Sequence, residues 1–338
     1  MMQIFNNWDI VAAGWYILCA SRQIKSGTVK SFTLCGQQIA VFRGTDGRVS
    51  ALDAYCPHMG TDLGIGQVDG NQVRCFFHHW AFDRTGNCTN IPCQVKIPPT
   101  ARLQAYATEE KYGFIWVYPE AIAPTSVPEF DELREQDCVV RADRPLERYA
   151  HHHICMMNGI DAQHLRTVHN LDVEMKLSLQ PAENGAIINF TLTGNFPEKS
   201  GIFWLLKQIL GNQYSYSMHY AYGCIGMLTM MKNVQRLPAL HLIYAFTPLA
   251  SGKTQVQPIY LTRKRKGILG WVIAQLLLIL TQLFYYFLRN EDGKIYDNIR
   301  FNPAHLLQID APIQNYIDYI NGLQISRWSK SKERLFQT

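Results

Sequence analysis

Two short pairs of cysteine and histidine are the residues of this chain best suited to metal chemistry. Cys56 and His58 form the first pair, and Cys75 and His78 form the second after sixteen intervening residues. Thiolate sulfur and imidazole nitrogen are both good ligands for iron and zinc. Because each pair supplies one of each, two loops brought together would offer two thiolates and two imidazoles.

The mixed composition of each pair favours an iron–sulfur cluster. Zinc could use the same four residues, but zinc sites usually take cysteine pairs and histidine pairs. Two thiolates on one iron and two imidazoles on the other are the ligand set of a Rieske [2Fe–2S] centre. The sequence therefore predicts such a centre, with zinc as the alternative.

A second group of metal-binding residue types follows in the middle of the chain. Asp161 and His164 lie three residues apart, so on a helix they would share a face. His169 lies five residues beyond His164, so both can meet one metal only if the helix ends or distorts between them. Two histidines and a distant carboxylate form the facial triad of non-haem Fe(II) oxygenases, which leaves positions open for O₂.

The carboxylate of such a triad should come from further along the chain. Glu291, Asp292 and Asp297 are the candidates in one short polar segment. Asp292 follows a long apolar helix whose end could lie inside a domain, whereas we expect the other two to be solvated charges. Asp292 is therefore the predicted third ligand of a mononuclear iron.

The surrounding chain is long enough for two domains, at about 150 residues each. From Trp8 to about Pro119 it reads as short alternating strands separated by Gly and Asp-Gly turns, including the hairpin signal at 45–47. Prolines interrupt the next stretch, and strands mixed with longer helical runs follow, as in an α+β domain. The predicted parts are a cluster domain at 8–119, a linker at 120–130, a catalytic domain at 131–325 and a tail at 326–338.

Composition limits the classes of partner and the cellular compartment expected for the protein. A net charge of +5 does not argue for nucleic acid, and nine irregularly spaced cysteines do not form a disulfide framework. The opening residues lack the basic start and unbroken apolar run of a secretory signal. We therefore expect a cytoplasmic protein in a reducing compartment.

Two apolar stretches leave the relation to a membrane open. Residues 267–288 carry no charge and are long enough to cross a bilayer, which needs about 20 apolar residues. If Asp292 binds iron, however, the end of this helix belongs to the catalytic domain, so we expect a packed helix that leans on a membrane, with a true span as the alternative. Residues 201–210 could be a core helix or could dip into lipid.

With these signals in place, the sequence resembles the Rieske non-haem iron oxygenases, specifically the terminal oxygenase (α) component, over nearly its whole length. The resemblance runs through the CPHMG, HHW and GNCTNIP motifs, the segment from Asn158 to His169, and EDGKIYDNIRFNP. The last motif looks most like the branch with 3-ketosteroid 9α-hydroxylase and the cholesterol 7-desaturases, in which it maps the third iron ligand onto Asp292.

The resemblance implies an α+β protein with an N-terminal all-β Rieske domain and a catalytic domain with a helix-grip-like antiparallel sheet. Asp161 would hydrogen-bond His164 and accept a contact from His78 of a neighbouring chain, which implies a homotrimer. Asn158 would lie close to the iron. The implied metal ligands are Cys56, Cys75, His58 and His78 for the cluster, and His164, His169 and Asp292 for the mononuclear iron.

Three features match no family pattern. The second ligand loop has Phe76-Phe77 where the family usually has a proline, and His79 stands where it usually has glycine. A side chain there could alter the cluster potential or protomer docking. The run His151–His153 matches no family ligand and is expected to be a strand with imidazoles on alternating faces.

The predicted function is O₂-dependent hydroxylation or desaturation of a large hydrophobic substrate, such as a sterol, a carotenoid or a chlorophyll-type pigment, by a Rieske-type mono- or dioxygenase. The chain has no flavin or nicotinamide fingerprint, so a separate reductase or ferredoxin would supply the electrons. The alternative is a Rieske-type electron-transfer protein without oxygenase activity. Respiratory and photosynthetic Rieske subunits resemble the chain only at the cluster, and they carry an extra cysteine beside each ligand pair.

Overall fold

The computed structural model describes residues 3–93, 96–169, 172–178, 187–195, 213–230, 239–249 and 252–330. It divides the chain into two compact units. The first, here called the cluster unit, comprises Ala13–Pro128 with Ser326–Thr338, and the second, the catalytic unit, comprises Met1–Ala12 with Glu129–Ile325. The prediction made for 201–210 lies outside the described residues, and the domain boundaries named from the sequence stay predictions.

In the residues that the structure describes, the cluster unit is built from short antiparallel strands in three sheets, as its alternating pattern predicts. The sheets have the strand orders β1-β11-β10, β2-β3-β4-β9 and β5-β6-β7-β8. The strands are β1 (Tyr16–Ala20), β2 (Thr28–Leu34), β3 (Gln37–Arg43), β4 (Val49–Asp53), β5 (Gln67–Asp69), β6 (Gln72–Arg74), β7 (Ala81–Phe82), β8 (Cys88–Asn90), β9 (Ala105–Tyr106), β10 (Thr108–Lys111) and β11 (Phe114–Val117).

The two predicted ligand loops are anchored in the core of this unit. One loop leaves β4 and the other connects β6 to β7. Cys56 and Cys75 belong to the same buried apolar cluster as Phe42, Leu52 and Phe82. The hairpin signal at 45–47 is confirmed, because β3 pairs with β4 and Gly47 takes the positive φ of 82° that this turn requires.

The catalytic unit contains one antiparallel sheet of eight strands in its described part. Its strand order is β12-β19-β18-β17-β16-β15-β14, and β13 also pairs with β19. The strands are β12 (Cys138–Ala142), β13 (Leu146–Arg148), β14 (Asp172–Ser178), β15 (Ile187–Asn195), β16 (Gln213–Ala221), β17 (Ile225–Met230), β18 (Leu240–Leu249) and β19 (Lys253–Arg263). The α-helices in the described part of this unit are α1 (His152–Met157), α2 (Ala162–Thr167), α3 (Gly267–Tyr296) and α4 (Ala311–Asn321). The predicted fold class, all-β followed by α+β, is confirmed.

Helix α3 is the longest described element, and only one of its faces is buried. It runs through Asp292 to Tyr296, beyond the predicted end at residue 288. Ala274, Leu278 and Thr281 are almost fully buried, at spacings of four and three that define one helical face. Gln282 on the same side hydrogen-bonds Asp143.

The opposite face of α3 is apolar and exposed. A helix that is apolar on all sides normally has every face covered. Among the described residues, α3 is the one helix long and apolar enough to cross a membrane. Its exposed apolar residues, here called the outer stripe, are Ile268, Leu269, Trp271, Val272, Ile273, Leu276, Ile279, Leu280, Leu283, Phe284 and Tyr286.

The prediction of a strand at His151–His153 is wrong. His151 caps the N-terminus of α1, where its Nδ1 accepts a hydrogen bond from the His153 amide at 3.2 Å, and His152 and His153 lie in the first turn. All three imidazoles are buried, with ring centroids 4.1 to 4.5 Å apart. The N-terminal segment packs over them, since Phe5 stacks on His153 and Trp8 lies against His151. Sequence alternation could not reveal this packing, because the covering segment is distant in sequence.

The buried histidines should make the catalytic unit sensitive to acid. Burial lowers the pKa of His151 to about 4 and lowers the pKa of His152 and His153 well below 6.5. The unfolded chain therefore takes up more protons as the pH falls below 6.5, and the stability contributed by neutral imidazoles, fully present above that pH, is lost. Each histidine that stays neutral in the folded protein at pH 5.5 lowers the free energy of unfolding by about 1.4 kcal/mol between pH 7.5 and pH 5.5.

Urea unfolding of the wild type and of His152→Leu at pH 7.5 and 5.5 tests this expectation. The acid-induced loss of unfolding free energy should be smaller in His152→Leu by about 1.4 kcal/mol. His305→Gln, at an exposed histidine, serves as the control and should lose as much stability as the wild type. Equal losses in all three proteins would contradict the expectation.

Candidate iron sites

The two ligand loops of the cluster unit share one backbone geometry. In the first, the Cys56 amide donates to the Thr61 carbonyl, and the Cys56 carbonyl accepts from the Gly60 amide, both at 2.9 Å. In the second, the Cys75 amide donates to the Trp80 carbonyl at 2.9 Å and the Cys75 carbonyl accepts from the His79 amide at 3.1 Å. Each cysteine therefore closes a tight turn over the four residues that follow it.

These turns bring like ligands together. Cys56 and Cys75 are buried, and the Cys75 thiol is close enough to Cys56 to shift its pKa. The rings of His58 and His78 are exposed, with centroids 4.5 Å apart, and His58 stacks on Trp80 at 4.5 Å and 6°. Two adjoining thiols on the inner side and two adjoining imidazoles on the outer side fit a cluster whose irons have Cys₂ and His₂ ligation.

The protonation state of the cysteines also depends on the metal. Burial, with a smaller contribution from the neighbouring Cys75, raises the pKa of Cys56 to about 12. A thiol of this kind is protonated at neutral pH, and it must lose its proton to bind iron. Cluster assembly would therefore release this proton.

His79 occupies a backbone conformation that favours glycine. Its φ is +58°, and Gly60 at the equivalent place in the first loop has φ +74°. Both residues lie four positions after a cysteine and donate their amides to that cysteine's carbonyl. The departure from the family pattern at this position therefore carries a conformational cost, which for a residue with a Cβ is about 1 kcal/mol or somewhat more.

In the catalytic unit, α2 positions the first of the predicted ligands. Asp161 caps the helix, and its Oδ1 accepts a hydrogen bond from the His164 amide at 3.0 Å. The described contact of Asp161 is thus with the backbone of His164. Helix α2 ends at Thr167, between the two histidines, which allows both rings to face the same point.

Three donor atoms meet at that point. The Nε2 atoms of His164 and His169 are 3.1 Å apart, and the Oδ1 atom of Asp292 lies 2.9 Å from the first and 3.0 Å from the second. Ligands bonded at about 2.1 Å and at right angles around one metal lie about 3 Å apart. The triangle therefore fits one face of an octahedral metal, which is the arrangement of the facial triad.

Asn158 and Glu291 contact this triangle from two sides. The Asn158 amide nitrogen lies 3.2 Å from His164 Nε2 and 3.4 Å from Asp292 Oδ1. Glu291 Oε2 lies 2.8 Å from His169 Nδ1. The sequence indicates a solvated charge at Glu291 and does not predict this contact. The position of Glu291 next to Asp292 in the sequence is the one feature that could have indicated it.

The histidines and carboxylates at the site stabilise one another's charged forms. Burial opposes ionisation of Asp292, but hydrogen bonds from His164 and His169 bring its pKa below the usual value. Burial would lower the pKa of His169, but the carboxylates of Asp292 and Glu291 raise it above 6.5. A divalent cation would take the place of these protons, since neutral imidazole and ionised carboxylate are the metal-binding forms.

A largely apolar cavity of about 240 Å³ opens at the donor triangle. Its wall includes aromatic and aliphatic side chains of the sheet and the inner side of α3. Arg289 also lines the cavity, and its guanidinium lies 3.4 Å from Asp143 and 4.9 Å from the centre of the Tyr286 ring. Lining residues beyond the motifs found in the sequence include Met218, Tyr220, Leu228, Tyr244, Phe246 and Tyr285.

Part of the chain is similar in sequence to known Rieske proteins. Residues 14–107 match the family model of the Rieske [2Fe-2S] domain. The chain is 38% identical to the cholesterol 7-desaturase of Xenopus laevis over 46% of this chain and 36% of the relative. It is 38% identical to the 3-ketosteroid-9-alpha-monooxygenase oxygenase component of Rhodococcus rhodochrous over 36% of this chain and 33% of the relative. The matched region thus spans about a third of each of these relatives.

A solved structure matches over nearly the whole chain. The dicamba monooxygenase bound to 3,6-dichlorosalicylic acid aligns with a TM-score of 0.63, covering 94% of this chain and 98% of that one. At 16% identity this likeness shows the fold alone.

Replacement of His79 by glycine should stabilise the cluster unit. Glycine adopts a φ near +58° without the Cβ clash, so His79→Gly should raise the free energy of unfolding by about 1 kcal/mol. Gly60→Ala, the matched change in the other loop, should lower it by a similar amount. Chemical denaturation of the cluster-loaded chain measures both, and a destabilised His79→Gly would show that the imidazole makes a compensating contact.

Proposed function

We propose that this chain is a Rieske oxygenase that hydroxylates or desaturates a large hydrophobic substrate with O₂, on the basis of its [2Fe–2S] domain and of its similarity to oxygenases and desaturases. The observation that carries the proposal is the donor triangle of His164, His169 and Asp292 at the end of an apolar cavity. Cofactors of this family carry the redox chemistry, while the protein supplies orientation and spacing.

In this proposal the two iron centres have separate ligands. Cys56 and Cys75 would hold one iron of the cluster, and His58 and His78 the other. The triangle would hold the mononuclear iron, which when bound supplies O₂ activation. The two Nε2 atoms and the Asp292 oxygen occupy one face, so the opposite side is available for O₂ and substrate.

The remaining residues at the site would orient ligands and exclude water. Asn158 would lie beside the metal, where its amide can donate a hydrogen bond to the Asp292 carboxylate. The apolar side chains of the cavity would place the substrate carbon next to the metal and keep bulk water away from it. Their chemistry favours a substrate that is mostly hydrocarbon.

A sterol is the substrate class that the relatives favour. The two relatives above are named for cholesterol and for a 3-ketosteroid. Carotenoids and chlorophyll-type pigments share the apolar chemistry. Fold and cofactors do not set the substrate, so the choice of a sterol rests on these names and on the cavity lining.

Electrons would come from a separate ferredoxin or NAD(P)H-dependent reductase. We further propose a homotrimer in which Asp161 accepts a contact from His78 of a neighbouring chain and so links the cluster of one chain to the iron of the next. The exposed edge of His78 is available for such a contact. The alternative function, an electron-transfer protein without oxygenase activity, would need no metal at the triangle.

The protein would be cytoplasmic and bound to a membrane surface through the outer stripe of α3. The stripe has no charged member and is preceded by Arg263, Lys264 and Lys266, which are exposed. Phe284 is both part of the stripe and part of the cavity wall. A substrate dissolved in lipid could therefore reach the cavity beside this residue.

Iron content separates the oxygenase from the electron carrier. Anaerobically purified chain should contain about three irons and show a Rieske EPR signal after reduction, because two irons belong to the cluster and one to the triangle. His169→Ala should contain about two irons with the same signal, and the control His305→Ala about three. About two irons in all three proteins would leave the electron carrier as the function.

Membrane binding depends on the outer stripe, so a charge placed there should weaken it. Leu276→Glu and Leu283→Glu should each lower partitioning onto phosphatidylcholine vesicles by about tenfold or more, since binding scales with the apolar area inserted. Ile309→Glu changes an equally exposed residue elsewhere in the catalytic unit and should bind like the wild type. Cosedimentation measures the partitioning. If the wild type does not bind vesicles, the proposed membrane association is wrong.

A further inference from the structure

We infer that Glu291 is a positioning residue that fixes the tautomer and the orientation of His169, so that His169 Nε2 is available to the iron. The inference rests on the proposed function, because it concerns the same metal site. It gives Glu291, which precedes Asp292 in the EDGKIYDNIRFNP motif, a role other than that of a solvated charge.

The two ring nitrogens of His169 have different carboxylate partners. Nδ1 lies 2.8 Å from Glu291 Oε2, and Nε2 lies 3.0 Å from Asp292 Oδ1. A neutral imidazole carries one proton, and a carboxylate can only accept it. When a metal takes Nε2, the proton must therefore lie on Nδ1, where Glu291 accepts the hydrogen bond.

The other histidine of the triangle lacks this support. His164 is fixed through its backbone amide by Asp161 and through the Asn158 amide at its Nε2. Among the described residues, no carboxylate contacts its Nδ1. His169 lies beyond the end of α2, so it has no helix to restrict its ring, and the contact with Glu291 supplies that restriction.

Helix α3 explains how two adjacent acids can serve one ring. Consecutive helical residues point about 100° apart, so Asp292 faces the cavity while Glu291 reaches the ring from the rim. The exposed fractions agree with this placement: 18% for the Asp292 side chain, 54% for Glu291 and 4% for His169. The His169 ring therefore lies between the two carboxylates, with one nitrogen directed at each.

The exposure of Glu291 indicates that its effect is mainly directional. Solvent weakens the Coulomb interaction of a half-exposed carboxylate, but a hydrogen bond of 2.8 Å still selects one ring orientation. Carboxylates that hold the distal nitrogen of a metal-bound histidine typically affect metal affinity by about 10- to 100-fold.

The test measures Fe(II) affinity in the full chain with its cluster in place, by anaerobic competition with a chelator. Glu291→Ala should weaken Fe(II) binding by about 10- to 100-fold. Glu291→Gln should recover most of that loss, because its amide oxygen can still accept the Nδ1 proton. Asp297→Asn removes the same charge from the same end of α3, at a residue that does not contact His169 among the described residues, and should bind like the wild type.

A second readout uses Mn(II) in place of iron, with the oxidised cluster EPR-silent. The EPR line shape of bound Mn(II) should change in Glu291→Ala and return toward the wild type in Glu291→Gln. Wild-type affinity and line shape in Glu291→Ala would overturn the inference, as would equal losses in Glu291→Ala, Glu291→Gln and Asp297→Asn.

A companion variant separates this inference from the proposed function. His169→Ala should abolish tight Fe(II) binding if the triangle is the iron site. If His169→Ala binds iron normally, the proposed function fails. If His169→Ala loses iron while Glu291→Ala keeps it, only the role of Glu291 fails.

Discussion

Convergence of two imidazole nitrogens and one carboxylate oxygen is the constraint on which the catalytic unit depends. His164 and His169 come from α2 and the residues just after it, and Asp292 comes from α3, more than a hundred residues later. Two N–H groups directed at the Asp292 oxygen would leave two donor nitrogens 3.1 Å apart, facing each other without an acceptor between them, whereas one divalent cation can bind all three atoms. The placement of α3 on the sheet is therefore decisive for the site.

Helix α3 serves two surfaces at once. Its inner side supplies buried contacts to the sheet, a wall of the cavity and Asp292, while its outer stripe is apolar without being covered in the described structure. The partly buried hydrogen bond from Gln282 to Asp143 anchors the helix to the domain. The packing of its inner side on the domain is consistent with the proposal that α3 lies against a bilayer.

In the cluster unit, the two ligand loops have the same backbone geometry. Each ligand loop uses the same pair of cysteine backbone hydrogen bonds and the same positive φ four residues later. Glycine meets that requirement in one loop and histidine in the other. The retention of the turn despite the strain at His79 indicates that the hydrogen bonds of the loop, rather than the identity of that residue, define its shape.

The sequence by itself determined the ligand types and much of the fold class, because ligand chemistry is local and strand alternation and turn residues act over a few positions. It also predicted that the helix must end or distort between His164 and His169 if both are to meet one metal, and α2 does end there. Only the tertiary structure decided that His151–His153 begin a buried helix beneath Phe5 and that α3 continues past residue 288. It alone brought Glu291 to His169, because such contacts join segments far apart in the chain, and no local periodicity records which distant surface will cover a side chain.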